Sequence, residues 1–560
     1  MPPRSKAGRT HGKLGGTAMN GAEVITEILK REGTGFLSCY PRNALIEPCA
    51  AAGIRPILCR QERVGVGMAD GYSRTTGGKS IGVFASQAGP GIENAFAGVA
   101  QAFSENVPLL VIPGGVPLHR LSTRPVFDAV ENFRHVTKWA ARIHDAKDIP
   151  ATLRRAFHLM RTGKSGPVLL EVPQDVFQQE FQGELDYTPP PGVRSAPDPS
   201  DVDAAAEILV AAKNPVVFAG AGIIWGNATN ELVALAELLD MPVLTTNPGK
   251  SGFPENHPLS LGASATSAPQ PVWEYLRAAD VVFAAGSSLT VSPFNPNVPA
   301  GKTVVQMTNH HDDLYKEYDI TQAVLGDAKL SLAELFEAVN SRLGGKAREP
   351  KRAQEVKAAK AAWLAEWDKF LSSGEMPLNP YRVANELMNL VDRDNTIVTH
   401  DSGSPREQVL PFWETTKPRT YMGWGKSTQL GHGLGLNIGA KIAAPDKLCI
   451  NFMGDSAIGM VGMDIETAAR NGIASMTVVF NNGMMAAERS QLIISEEKYN
   501  TLAVGGNYCE VAKALGAHGF RASKPEEIVP TFKEAIAATE AGETVLVEFL
   551  TKENQDFSRY

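Results

Sequence analysis

A carboxylate and an amide stand at the ends of two apolar runs near the C-terminus. Asp455 follows "KLCINFMG" (447–454), and Asn482 follows "MTVVFN" (476–481). The stretch between them, "SAIGMVGMDIETAARNGIAS" (456–475), has helical spacing, so the order is strand, turn, helix, strand, turn. In a parallel sheet both turns fall at the carboxyl ends of adjacent strands, where α/β proteins bind ligands. Asp455 and Asn482 are therefore expected to be neighbours in space. A carboxylate, an amide oxygen and a nearby backbone carbonyl are hard donors suited to Mg²⁺ completed by phosphate oxygens. The helix starting near Ser456 aims its N-terminus at the same spot, which favours a diphosphate. Taken singly, "GDS" and "NNG" are ordinary turn sequences. Their pairing across one strand–helix–strand unit makes them a candidate metal–diphosphate site.

Such a site needs a parallel sheet, and the chain supplies strands for several. Apolar runs of strand length include "GFLSCY" (35–40), "SIGVFAS" (80–86), "PLLVIPGG" (108–115) and "GPVLLEVP" (166–173). Others are "NPVVFAGAG" (214–222), "ADVVFAAG" (279–286), "KTVVQMT" (302–308), "NTIVTHD" (395–401) and "ETVLVEFL" (543–550). They lack polar alternation, as strands covered on both faces do, and they alternate with amphipathic helix-length segments. The fold class expected is α/β with doubly wound parallel sheets. Two Pro- or charge-rich stretches, 186–201 and 340–363, read as linkers. They predict an arm over 1–18 and domains over 19–185, 200–340 and 375–552. Whether the first and last share a fold is not legible in their residues.

Bulk properties exclude several function classes. The 560 residues are 43% hydrophobic and 21% charged with a net charge of −7, a balance that suggests neither nucleic acid nor an anionic membrane as partner. No apolar run reaches the roughly 18 residues of a membrane helix. Five cysteines without a Cys-x-x-Cys pair read as buried, reduced thiols, and the expected compartment is the cytoplasm. Residues 1–18 are basic and Gly-rich without an apolar signal core; they read as a loose arm, an upstream start before Met19, or a transit peptide.

The "GDS…NN" pair resembles the "GDG…NN" signature of thiamine-diphosphate enzymes, with Ser456 in place of the last Gly. Four other stretches fit that family. "CRQERVGVGMADGYSR" (59–74) resembles its glutamate-bearing helix, "SQAGPGIEN" (86–94) its "SGPGATN" loop, "HVTKWA" (135–140) its "TKW" segment, and "GWGKSTQLGHGLG" (423–435) its cofactor-bending helix. The likeness covers roughly 19–550 and is nearest in pattern to acetohydroxyacid (acetolactate) synthase-like decarboxylases and carboligases. It implies three doubly wound domains: pyrimidine-binding, central and diphosphate-binding. It implies thiamine diphosphate and Mg²⁺, with metal ligands Asp455, Asn482 and the Met484 carbonyl. The diphosphate would rest on Gly403, Ser404, Gly454, Ser456 and Ala457. Thr428 would accept from the pyrimidine amino group, and Leu430 would prop the cofactor's bend. Glu62 would touch the pyrimidine ring and help form the ylide that attacks a 2-oxoacid. Gln87 and His432 are further candidates near the reacting carbons, and His119 is a comparable guess. In the family the first domain of one subunit faces the third domain of another, so a homodimer or homotetramer is implied.

Three departures bear on substrate. "YPRNALIE" (40–47) has Arg42 and Asn43 where relatives carry two glycines, and an arginine fork suits an anionic substrate group; solvent or Glu47 is the alternative destination for Arg42. "RPV" (124–126) replaces the family's "FQE", which argues against a true acetohydroxyacid synthase and adds Arg124 as a weaker anion candidate. "FAGAGI" (218–223) is a Gly-rich turn without a convincing flavin pattern, so FAD is possible but not supported. "NHHDD" (309–313) reads as a solvated loop. The alternatives are an oxalyl-CoA decarboxylase or 2-hydroxyacyl-CoA lyase-like enzyme and a sulfoacetaldehyde acetyltransferase-like enzyme. From other classes come a catalytically silent subunit of the same fold and, on "GAGI" alone, a nicotinamide dehydrogenase.

Overall fold

The computed structural model describes residues 19–292, 294–554 and 556–560. The expected arm at 1–18 lies outside these. Three six-stranded, all-parallel sheets follow one another along the chain. The first holds β1 (Phe36–Cys39), β2 (Arg55–Leu58), β3 (Gly82–Ser86), β4 (Leu109–Gly115), β5 (Trp139–Arg142) and β6 (Pro167–Pro173). The central one holds β7 (Pro215–Ala219), β8 (Val243–Thr246), β9 (Ser260–Ser264), β10 (Val281–Ala285), β11 (Thr303–Thr308) and β12 (Gln322–Leu325). The last holds β13 (Thr396–His400), β14 (Tyr421–Met422), β15 (Leu448–Gly454), β16 (Met476–Asn481), β17 (His518–Ala522) and β18 (Val545–Leu550). Strands such as β3, β7, β13 and β16 are buried along their whole length, because helices cover both faces.

The first and third sheets have the same topology, β2-β1-β3-β4-β6-β5 and β14-β13-β15-β16-β18-β17. The likeness that residues alone did not reveal is thus plain in strand order. The central sheet runs β12-β11-β10-β7-β8-β9, the doubly wound order of dinucleotide-binding folds. Each sheet has one crevice where the winding reverses: between β1 and β3, between β7 and β10, and between β13 and β15.

The first and third units are joined by a helix pair. Glu62–Thr76 follows β2 and His432–Ala443 follows β14, so the two helices occupy equivalent places. They approach backbone to backbone: a Cβ on Gly67 would sit 3.1 Å from Gly435 Cα, and Gly71 and Gly439 face backbone carbonyls still more closely. This is why "ADGYSR" and "GHGLGLNIGA" are glycine-rich. One hydrophobic cluster runs through both units, from Phe36, Val66 and Phe84 to Leu434, Met453 and Val461. The central unit is tied to the third by a buried ion pair. Lys250 Nζ contacts both Glu255 oxygens at 2.6 Å, and Glu255 accepts from Thr415 N at 2.7 Å.

All five cysteines are buried and free; burial pushes the thiols of Cys39 and Cys449 up to about 12, so they are inert at neutral pH. Among the described residues no helix is long and apolar enough to cross a membrane.

Candidate active site

The crevice of the third sheet collects the acid–amide pair. Asp455 is the first residue of the helix Asp455–Val461, at the end of β15. It is 3% exposed. Its Oδ2 accepts from the backbone N–H groups of Asn482 (3.0 Å) and Gly483 (2.7 Å), and its Oδ1 from Ser456 N (2.7 Å). The turn after β16 is thus folded onto the carboxylate. Burial outweighs these bonds and raises the Asp455 carboxyl above its usual range; among the described residues it has no ion-pair partner. A buried carboxylate without a cation, beside an amide and a carbonyl oxygen, fits a divalent metal with hard-oxygen preference. Asn482 Oδ1 accepts from Met484 N (3.1 Å), and the Met484 carbonyl from Ala486 N (2.9 Å). Each oxygen has a second lone pair to offer.

The other side of the crevice is the turn after β13. Gly403 has φ +89 with open space where a Cβ would point, and it precedes the short helix Ser404–Val409. Gly454, Ser456 and Ala457 open the Asp455 helix opposite it. Together these small residues flank the crevice beside Asp455.

The segment 423–433 has little regular structure, yet its backbone is held at many points. Asp401 is fully buried and accepts from Gly431 N (2.8 Å), Gly433 N (3.0 Å) and Ser402 N (2.8 Å); burial lifts its carboxyl to about 6. Glu105 accepts from Gly425 N and Lys426 N. Arg74 donates to the Gly423 carbonyl at 3.1 Å. Between these anchors Thr428 and Leu430 are half-buried, and Leu430 packs on the cluster shared by both units. His432, a candidate for proton work, faces away from open space: its side chain is 2% exposed and its Nε2 lies 3.4 Å from Asp70 Oδ2. Asp70 also pairs with Arg74. The geometry gives His432 a place in a buried inter-unit network.

In the first unit, Glu62 begins its helix and is 6% exposed. Burial raises its carboxyl, against the bond from Asn94 Nδ2 at 3.3 Å. Gln87 follows β3, and both it and Glu62 border Gly91: a Cβ there would lie 2.9 Å from Gln87 Cγ and 3.6 Å from Glu62 Oε1. Glu62 and Gln87 are thus brought together at the mouth of the first crevice. Gln61 beside them reaches the far end of the Asp455 helix, with Gln61 Nε2 to Met460 O at 3.2 Å. That end is about 9 Å along the helix axis from Asp455 itself.

Arg42 is exposed with φ 72, the left-handed region where the family's glycine sits without strain, and among the described residues it forms no ion pair with Glu47. Asn43 is committed to the fold: its Nδ2 donates to Ser86 O (2.8 Å) and Ile112 O (3.0 Å), and its Oδ1 accepts from Leu45 N. It joins the end of β3 to the middle of β4 and has little left for a substrate. His119 and Arg124 are exposed.

The central crevice opens into a cavity of about 790 Å³ lined by Gly220, Gly222, Gly286 and Ser288, with Lys164 and Lys426 on its other walls. The glycines touch backbone to backbone, so no side chain could intrude there. His310 and His311 stack at 5.0 Å near its rim, His311 and Asp312 largely exposed, as a solvated loop would be.

Asn94, Glu105 and Asp401 escaped the sequence reading. Asp401 carries a signal, an acid directly after a strand in "HDSGS"; Glu105 and Asn94 carry none, since their partners are 320 and 32 positions away.

Comparison with known proteins matches three family models along the chain: the N-terminal TPP binding domain over 19–141, the central domain over 202–335 and the C-terminal TPP binding domain over 401–549 of thiamine pyrophosphate enzymes. A sulfoacetaldehyde acetyltransferase of Alcaligenes xylosoxydans xylosoxydans is 30% identical, over 94% of this chain and 91% of its own. A probable acetolactate synthase large subunit of Methanococcus aeolicus is 27% identical, over 93% and 91%. Benzoylformate decarboxylase from Polynucleobacter necessarius shares the fold with TM-score 0.80 at 20% identity, over 96% of this chain and 99% of that one. With three TPP-enzyme domains matched in order along the chain and a relative 30% identical over nearly its whole length, the chain belongs to the thiamine pyrophosphate enzyme family and is a thiamine-diphosphate-dependent enzyme.

Proposed function

We propose that this enzyme is a Mg²⁺-dependent decarboxylase or carboligase acting on a 2-oxoacid that carries a further anionic group. The observation that carries the reading is the buried Asp455 carboxylate, gripped by the Asn482–Gly483 turn and without an ion-pair partner among the described residues. Asp455, Asn482 and the Met484 carbonyl would hold the metal, and Gly403, Ser404, Gly454, Ser456 and Ala457 the diphosphate. Thiamine diphosphate, when bound, supplies a carbon nucleophile and an electron sink for cleaving the bond next to a carbonyl. The Thr428 carbonyl would orient the aminopyrimidine, Leu430 would support its bend, and Glu62 would hold and move the proton at the ring nitrogen. Gln87, beside Glu62, would face the reacting carbons. Arg42, with no ion-pair partner among the described residues, would read the anionic group.

Asp455 and Glu62 of one chain lie near opposite ends of the Asp455 helix, which favours a site completed by a second subunit. Phe96 and Phe103 on the helix Pro90–Ser104, and Met460 and Met463 at the end of the Asp455 helix, are 38–49% exposed. Apolar side chains so placed suit a dimer contact. Mixing Glu62→Gln with Asp455→Ala protein tests the arrangement. If sites are shared, random reassortment into dimers restores roughly a quarter of wild-type activity; if each chain is self-sufficient, mixing restores none.

The second reading is a sulfoacetaldehyde acetyltransferase-like enzyme, favoured by the exposed Arg42, which suits a sulfonate. Turnover of pyruvate, glyoxylate, 2-oxobutyrate, benzoylformate, sulfopyruvate, sulfoacetaldehyde with phosphate, and oxalyl-CoA separates the readings. Carbon dioxide release and product mass from a 2-oxoacid are expected. Acetyl phosphate from sulfoacetaldehyde alone would move the assignment to the second reading, and no turnover of any substrate would overturn both. FAD is a candidate occupant of the central cavity, and the visible spectrum of the purified protein decides it.

A further inference from the structure

The backbone of 425–430 hangs between two buried carboxylates from different units. On one side Asp401, after β13, holds Gly431 and Gly433. On the other, Gly425 N and Lys426 N both donate to a single oxygen of Glu105, Oε1, at 2.8 and 2.7 Å. Glu105 is 3% exposed, and among the described residues its Oε2 has no hydrogen-bond partner. It follows the last turn of the helix Pro90–Ser104. That helix touches the candidate site at two further points: Asn94 donates to Glu62, and the Ala97 carbonyl accepts from Gln429 Nε2. Its residues 94, 97 and 105 fall near one face. A charged group with an unpaired oxygen is costly in a protein interior. Two consecutive amides that no strand or helix satisfies, with the Arg74 and Lys426 cations nearby, account for its position.

We propose that Glu105 is a positioning residue, setting, through Gly425 and Lys426, the backbone that carries Thr428 and Leu430 to the cofactor. The first unit of a chain thus shapes the cofactor contacts of that chain's own third unit. The statement about cofactor contacts rests on the roles proposed above for Thr428 and Leu430; the statement about the backbone does not.

Two measurements on Glu105→Ala and Glu105→Gln test it. The first, amide hydrogen exchange in cofactor-free protein, needs no functional assumption. Exchange across 425–430 is expected to rise at least about tenfold in Glu105→Ala while the core strands β15 and β16 stay protected, with Glu105→Gln intermediate because its amide oxygen still accepts. Unchanged exchange at 425–430 in a folded variant overturns the clamp. The second is thiamine diphosphate affinity, read by the fluorescence of Trp424, which is buried and adjoins Gly425. A loss of roughly 10²-fold is expected in Glu105→Ala, the scale of an ångström-sized misplacement, with partial recovery in Glu105→Gln. Raised exchange with unaltered affinity overturns the positioning role. Failure of the wild type to bind thiamine diphosphate would count against the proposed function and leave the exchange result to stand alone. If Glu105→Ala does not fold, Glu105→Gln carries both measurements.

Discussion

Glu62→Gln is expected to lower turnover by about 10²–10⁴-fold, the usual worth of a positioned acid–base group. The change is nearly isosteric, so packing survives. Glu62 sits at the start of its helix, 6% exposed, and its only side-chain partner among the described residues is Asn94. Nothing else in the fold depends on its charge. Its carboxyl is raised by burial, which brings a carboxylic acid toward the range where it both takes and gives a proton near neutrality. An amide keeps the hydrogen bond but cannot move the proton. Cofactor affinity should therefore change little while kcat collapses. Steady-state kinetics beside a thiamine diphosphate titration checks this; a kcat within threefold of wild type would remove Glu62 from the mechanism.

Asp455→Asn has effects of opposite sign on binding and on stability. Mg²⁺ affinity, and with it retention of thiamine diphosphate, should fall by roughly 10²–10³-fold, or about 3–4 kcal/mol, because the only charged metal ligand proposed is lost. Metal-free protein should behave otherwise. The Asp455 carboxyl is raised in the folded state, mainly by burial. Its contribution to stability is then fully present below the unfolded value near 4 and is lost as pH rises through the folded value. Asn carries no such loss. At neutral pH and without metal, Asp455→Asn should melt no lower than wild type, while with Mg²⁺ and cofactor it should lack the wild-type rise in melting temperature. Thermal melts with and without EDTA distinguish these outcomes. A large loss of stability in the metal-free variant would mean that the carboxylate's bonds to the 482–483 turn outweigh its burial, and that Asp455 is a turn residue.

The contrast between Asn43 and Arg42 shows where sequence reading loses resolution. Both stand where the family carries glycine, and both were candidates for substrate. Residue type made both candidates, Arg42 for an anionic group, but the backbone points Asn43 inward, onto Ser86 and Ile112, and leaves Arg42 outside. His432 is a similar case: a histidine next to a cofactor segment is a fair candidate for proton work until its ring is found 3.4 Å from Asp70. Glu105 was invisible, because a lone acid after a helix has no pattern until Gly425 and Lys426 are folded against it.

By itself the sequence determined the α/β class, the parallel sheets, the family and the closeness of Asp455 to Asn482. The class and the Asp455–Asn482 closeness follow from local periodicity and from a strand–helix–strand unit whose geometry leaves one arrangement, and the family from the resemblance of the motifs around Glu62, Gly423 and Asp455. Tertiary structure alone decided that the first and third sheets share one topology, that their helices meet through glycines, and which buried acids hold the backbone of 423–433. Those contacts join residues hundreds of positions apart, and side-chain direction there is set by packing, which no local pattern encodes.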